Sequence, residues 1–301
     1  MASPEAAALI DILRDFREAV VGQGAGSLED IRAAMALMAG AATEPDGVTV
    51  SETYAGGVRA YWNDPPDGAM DACVLYLHGG GYVIGSPATH ERFVGHMAKA
   101  VGCRYLSVDY RLAPEHPHPA AVEDSVAAYS WLLAQGYVPE RIAISGDSAG
   151  GGLTLATLLA LRERGLPQPA GAVPMSPWTD LEGTGESMSS RADRDMIVGF
   201  DGLKLMADHF LAGGDPRHPL ASPLHADYTG IAPIYFQVGD DETLLDDSTR
   251  AAEKARAAGV DVTIDVFPEM QHVFQSNAGN VPEADDAVAR IGAWLRPRLG
   301  L

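Results

Sequence analysis

The sequence predicts an α/β fold: a mainly parallel central sheet flanked by helices, with a small helical cap. Three observations carry this. Short runs of apolar and β-branched residues alternate with longer helical segments along most of the chain, the pattern of a parallel sheet covered on both faces. A chain of 301 residues, 47% of them hydrophobic, can bury one large core and a small addition. Residues 141–152, Arg-Ile-Ala-Ile-Ser-Gly-Asp-Ser-Ala-Gly-Gly-Gly, read as a buried strand, a sharp turn and the start of an apolar helix.

The elements follow in order. Ser3 and Pro4 open a helix as N-cap and first helical residue, with Ile10, Leu13, Phe16 and Val20 at helical spacing. Gly22, Gly24 and Gly26 break it, and Ser27 caps a second helix carrying Leu28, Ile31, Met35 and Met38. This region, 1–45, is either plain packing or part of a cap over the core that follows, 46–301. Residues 48–50 and 57–62 suit antiparallel edge strands ended by Asn-Asp-Pro-Pro-Asp-Gly. Then come a strand at 72–77, a helix at 93–101, a strand at 103–108, a helix at 120–133, the strand 141–145 and the helix 151–164. Strands at 171–175, 233–238 and 262–267 follow, with helices at 248–258 and 284–295. Between Trp178 and Ala232 the rhythm stops for over fifty residues. A loop that long is usually functional. Its Met188, Met196, Phe200, Leu203, Met206 and Phe210 recur at roughly helical spacing. The bland reading is an extra helix pair. The sharper one is a second cap segment around 181–225, its adaptable methionines lining an apolar pocket.

Composition excludes several function classes. The net charge is −20, which argues against nucleic acid and anionic membrane surfaces, since both need clustered Lys and Arg. No stretch approaches the ~18 apolar residues of a membrane span. The N-terminal segment lacks a basic region and carries Asp11 where a signal core would run, so a cytoplasmic location is expected. Cys73 and Cys103, each at the start of an apolar strand, read as buried free thiols.

Two motifs carry chemistry. Gly146-Asp-Ser148-Ala-Gly150 between a strand and a helix matches a nucleophile elbow. The turn is so sharp that a Cβ two positions either side of the serine would collide, and the strain lifts the Ser148 hydroxyl above the sheet. The first amides of the helix, beginning with Ala149, then face whatever the serine attacks. Directly after the strand 72–77 comes His78-Gly-Gly-Gly81. Its bare amides suit an oxyanion, where losing one donor costs about 3 kcal/mol of transition-state stabilisation. Neither the spacing of a dinucleotide fingerprint nor the lysine of a P-loop is present. His78 reads as structural.

His78-Gly-Gly-Gly81, Asp109-Tyr-Arg-Leu-Ala-Pro-Glu115 and Gly146-Asp-Ser-Ala-Gly150, in that order, resemble the hormone-sensitive-lipase-like (bacterial family IV) esterases of the α/β-hydrolase fold, in their Gly-Asp-Ser-Ala-Gly branch. The resemblance covers nearly the whole chain from about Cys73. It implies carboxylic-ester hydrolysis of short to medium acyl esters, no cofactor, an oxyanion hole from Gly80, Gly81 and Ala149, and a homodimer. The strand 262–267 is a possible edge for such pairing.

The catalytic base must follow the acid in the order Ser, acid, His. Of nine histidines, His272 lies after the last strand, where the resemblance also expects it. His90, His96, His116, His118, His209, His218 and His225 come too early. His116 and His118 could hold a metal, but no third ligand stands at suitable spacing. For the acid, Asp240, Asp241, Glu242, Asp246 and Asp247 crowd one loop and helix start, most of them read as solvated or helix-capping. Family members show Asp-Pro-Leu-x-Asp here. Laid on it, Glu242-Thr-Leu-Leu-Asp246 puts Glu242 at the catalytic place and Asp246 at a structural one. Glu for Asp and Thr for Pro leave Asp241 as a rival and Asp240 as a lesser one. The expected reaction is nucleophilic ester hydrolysis by Ser148, His272 and a carboxylate on a small-molecule ester. An amidase or peptidase with the same triad, or a small-molecule-binding protein on this scaffold, are the alternatives.

Overall fold

A computed structural model describes residues 2–23 and 28–301, the side chains of 15–23, 34 and 36–38 lying outside the description. The strands β1 (Thr49–Ala55), β2 (Val58–Asp64), β3 (Ala69–Leu77), β4 (Cys103–Val108), β5 (Ile142–Asp147), β6 (Gly171–Met175), β7 (Ile234–Gly239) and β8 (Val262–Phe267) form one sheet. Their order is β1-β2-β4-β3-β5-β6-β7-β8. β1 and β2 pair antiparallel and β2 meets β4 antiparallel, while every other pairing is parallel. β1 is an edge, as expected. β2 is not: it lies between β1 and β4. Its Trp62 is buried, Arg104 of β4 stacks 3.7 Å from the Trp62 ring, and the same guanidinium grips Asp64 at 2.9 Å.

The parallel strands show the two-residue alternation of a sheet buried on both faces. Cys73, Leu75, Leu77, Ile142, Ile144 and Phe236 point into one core, with α4 (Ala120–Ala134), α5 (Ala149–Glu163) and α8 (Leu245–Ala257). Val74, Tyr76, Tyr105, Ala143, Val173 and Tyr235 point into the other, with α3 (Pro87–Val101) and α9 (Pro282–Arg298). α5 is apolar all round because it is buried all round.

α3 starts nearly two turns before the expected 93–101. Ser86 and Thr89 exchange side-chain-to-backbone hydrogen bonds of 3.3 and 3.0 Å, with Pro87 at the first position. α1 (Pro4–Gln23) runs through Gly22 rather than breaking there. The expected break at Gly24 and Gly26, the Ser27 cap and the Phe16, Val20 and Met38 side chains lie outside the described residues. α1 sets Ala6 against Phe267, Met270 and Ala284, at the head of α9. α2 (Leu28–Leu37) lays Leu28, Ile31 and Met35 on the α4–α5 side. The long interval contains no strand among the described residues, but the single turn α6 (Ser187–Ser190), the helix α7 (Phe200–Leu211) and a 3₁₀ turn at Pro223–His225. Cys73 and Cys103 are free and buried, and burial pushes the Cys103 thiol up to about 12. No helix among the described residues is long and apolar enough to cross a membrane.

Leu158 of α5 is fully buried in the larger core. Leu158→Ala should lower unfolding free energy by about 2–5 kcal/mol, from lost transfer energy plus the cavity left behind, read as a lower midpoint in urea.

Candidate active site

Strand register brings the two glycine motifs together. Leu77 of β3 pairs with Gly146 of β5, so the loop 78–81 leaves the sheet beside the turn 147–150. A Cβ on Gly146 would strike the carbonyl oxygens of Leu77 and Gly150, and one on Gly150 those of Leu77 and His78. Only glycine permits so close an approach. Ser148 takes φ +53°, ψ −121°, forbidden country for most side chains. Its amide donates to Met175 O at 2.8 Å and its carbonyl accepts from Trp178 N at 2.9 Å and Gly152 N at 3.0 Å, so the strained turn is held on both sides. Among the described residues no side chain hydrogen-bonds the Ser148 hydroxyl.

Asp147 locks the two loops to each other. Its Oδ1 accepts from Gly79 N at 2.9 Å and from Tyr76 OH at 2.6 Å, while His90 Nε2 stands 3.4 Å from Oδ2. Burial pushes this carboxyl up, but the nearby His90 and the hydrogen bonds outweigh burial and hold it below the ordinary value. Gly80 (φ +115°) and Gly81 (φ +60°) then turn in a way that favours glycine. Among the described residues nothing accepts from their amides. The Ala149 amide lies in the first turn of α5, where a helix offers no acceptor. His78 is structural, as expected: Nδ1 meets Gly79 O at 2.8 Å, its ring stacks 4.2 Å from that of Tyr110, and burial, then His90, lowers it to about 3.

The loops after β7 and β8 carry the second half of the site. Glu242 and His272 are both buried, and His272 Nδ1 lies 2.9 Å from Glu242 Oε2. A carboxylate only accepts, so Nδ1 carries the hydrogen and neutral Nε2 keeps its lone pair. The other oxygen, Oε1, accepts from Gly239 N at 2.5 Å and Ser176 Oγ at 2.7 Å. Burial raises the Glu242 carboxyl. For the ring, burial acts downward, but the hydrogen bond and charge of Glu242 act upward and prevail, so His272 lies above the ordinary 6.5.

The neighbouring carboxylates have partners other than His272. Asp240 pairs with Arg191 at 3.1 Å and Asp241 with Arg194 at 3.2 Å. Asp246 accepts from Ser187 N at 2.9 Å. Asp247 is buried and accepts from Thr179 N and Asp180 N at 2.6 and 2.8 Å, burial pushing its carboxyl up to about 7. Four of the five therefore hold the segment 179–194 against the core. The expectation that most of these acids are solvated or sit at a helix start holds for Asp240, whose side chain is 39% exposed, and for Asp246 and Asp247 in the first turn of α8; each also has a partner in the segment 179–194. The insertion also grips the histidine loop, through Met196 N to Gln271 Oε1 at 2.8 Å and Gln271 Nε2 to Arg194 O at 3.0 Å. Among the described residues, one trio of potential metal donors gathers, Asp180, Glu182 and His225. Arg250 and Arg217 already pair its two carboxylates.

Residues 74–276 match the family model described as the alpha/beta hydrolase fold. A crystallised esterase of the bacterial hormone-sensitive lipase family superposes with a TM-score of 0.95 at 47% identity, covering 99% of each chain. The chain belongs to this family of α/β hydrolases. EstE5, solved after soaking with p-nitrophenyl butyrate, superposes with a TM-score of 0.94 at 43% identity over all of both chains. An acetyl-hydrolase of Streptomyces hygroscopicus is 45% identical over 255 residues, 85% of this chain and 83% of its own.

In this hydrolase the parts played by four residues around the site escaped the sequence. Ser176 follows β6 as an unmarked serine. Asp147 was visible only as the variable residue of the elbow, and Tyr76 and His90 only as core-strand and helix residues. Nothing local tells that these side chains meet. NMR titration of the His272 ring should give a midpoint above 6.5. Glu242→Gln should lower it, because burial then acts without the opposing charge.

Proposed function

We propose that this hydrolase cleaves carboxylic esters of short and medium acyl chains through an acyl-enzyme on Ser148, with His272 as base, Glu242 as its orienting acid and the amides of Gly80, Gly81 and Ala149 as oxyanion hole. The observation that carries the reading is the buried Glu242–His272 hydrogen bond on loops leaving the same sheet edge as the Ser148 turn. Ser148 Oγ attacks the ester carbonyl while His272 Nε2 takes its proton. Negative charge develops on the carbonyl oxygen, where donors that need no reorganisation lower the barrier. The imidazolium, stabilised by Glu242, returns the proton to the leaving alcohol. Water, deprotonated by the same nitrogen, then releases the acid and frees Ser148.

A cavity of about 350 Å³ supports the acyl-length reading. Trp178, Leu181, Met188, Phe200 and Leu203 line it, and Trp178 is bonded to the Ser148 carbonyl. Contacts also support a cap made by 1–45 and the insertion around 181–225. Phe210 stacks 3.9 Å from Tyr82, a Cβ on Gly81 would strike Met206, and Arg32 donates to Val83 O at 2.9 Å. The acetyl-hydrolase relative supports a small acyl group. Two free thiols support a reducing, cytoplasmic setting, and β8 at the sheet edge supports a homodimer, which sedimentation would test.

Ser148→Ala should cut kcat by about 10⁴-fold or more while the melting temperature holds, since only a hydroxyl is lost. In a p-nitrophenyl ester series, butyrate and hexanoate should lead and palmitate trail, with a p-nitroanilide control far slower. Palmitate leading would overturn the acyl-length reading, and a faster anilide would make the enzyme an amidase.

A further inference from the structure

We infer that Ser176 is a positioning residue for this reaction, its one hydroxyl clamping the Glu242 carboxylate and the backbone beside His272 into a single unit. The inference rests on the triad reading above. Ser176 is fully buried just past β6, and its amide donates to Gln237 O at 2.7 Å, continuing the β6–β7 ladder. Its hydroxyl then spans two further loops. It donates to Glu242 Oε1 at 2.7 Å and accepts from Val273 N at 3.2 Å. Val273 directly follows His272, so the histidine's own main chain is held by the oxygen that holds its acid.

Backbone strain marks the same point. Ser176 has φ +44° and Val273 φ +52°. Neither is glycine, and a β-branched residue there is a true outlier. Strain of that kind persists only where the surroundings over-determine it, and it gathers at functional sites. Here the two strained residues meet on one hydroxyl.

The physical consequence runs through Glu242. Burial drives its carboxyl toward the neutral form, which could not stabilise an imidazolium. The donors on Oε1, Ser176 and Gly239, favour the charged form and leave Oε2 aimed at Nδ1. Gly239 N–H closes β7, three residues before Glu242 on the same segment. Ser176 lies just past β6, and so ties the carboxylate to a second strand.

Ser176→Ala should lower kcat about ten- to hundredfold, the range for a buried hydrogen bond to a charged group, with KM nearly unchanged. Ser176→Gly separates the hydroxyl from the fold: it also lacks the oxygen but relieves the strained φ. It should lose kcat as alanine does while melting no lower than the alanine variant. In a Glu242→Gln background, removing Ser176 should cost little more, because the clamp has nothing left to hold. The downfield His272 Nδ1–H proton signal should shift or broaden in Ser176→Gly. Native kcat in both Ser176 variants, recovery of kcat in the glycine variant, or a loss that simply adds to that of Glu242→Gln would each refute the clamp. Full activity in Glu242→Gln alone would instead refute the acid assignment on which it rests.

Discussion

The site depends on one steric permission: the carbonyl of Leu77 can lie where the Cβ atoms of residues 146 and 150 would otherwise be. That closeness draws the end of β3 against the turn after β5. It puts the amides of 79–81 beside the Ser148 turn and lets Asp147 reach back to Gly79. With any larger residue at either glycine the two loops must part. The parallel register extends the same edge outward. Asp147 pairs with Met175 and Met175 with Gln237, so the loops after β5, β6 and β7 emerge side by side.

The charge distribution shows a division of labour among acids of one type. The chain carries a surplus of twenty negative charges, and each of the five carboxylates in the loop after β7 has a partner in the fold. Arg191 and Arg194 come from the insertion to meet Asp240 and Asp241, whereas Glu242 points inward to His272. Exposed ion pairs are worth little singly. Here they join the amide bonds of Asp246 and Asp247 and of Asp195 to Thr243, so the insertion is held by a network spread along one loop. The insertion and Glu242, which meets His272, are therefore tied through one loop, and a disturbance of one reaches the other.

Four of the seven non-glycine residues with positive φ among the described residues lie around the site. Tyr82, Ser148, Ser176 and Val273 all have positive φ. Each is pinned by hydrogen bonds or stacking from another segment, which is what lets a few kcal/mol of local strain persist in a cooperative fold.

What the sequence determined by itself is whatever short-range chemistry encodes. Alternating apolar strands predicted the sheet, and three strands, 103–108, 171–175 and 262–267, matched residue for residue. The Gly-x-Ser-x-Gly turn and the Gly79–Gly81 loop were legible because glycine spacing is a steric statement about the local backbone. Chain order and the resemblance singled out His272, and the structure sets its ring against Glu242. The start of α3 was missed because its capping partner is Thr89, not an acid or amide. The resemblance favoured Glu242 over Asp241 and Asp240, but which of them meets His272 depends on how the loops after β7 and β8 settle together, and only tertiary structure puts Glu242 there. Ser176 is the extreme case. Its three hydrogen-bond partners lie 61, 66 and 97 residues along the chain, and only folding gives an ordinary serine that company.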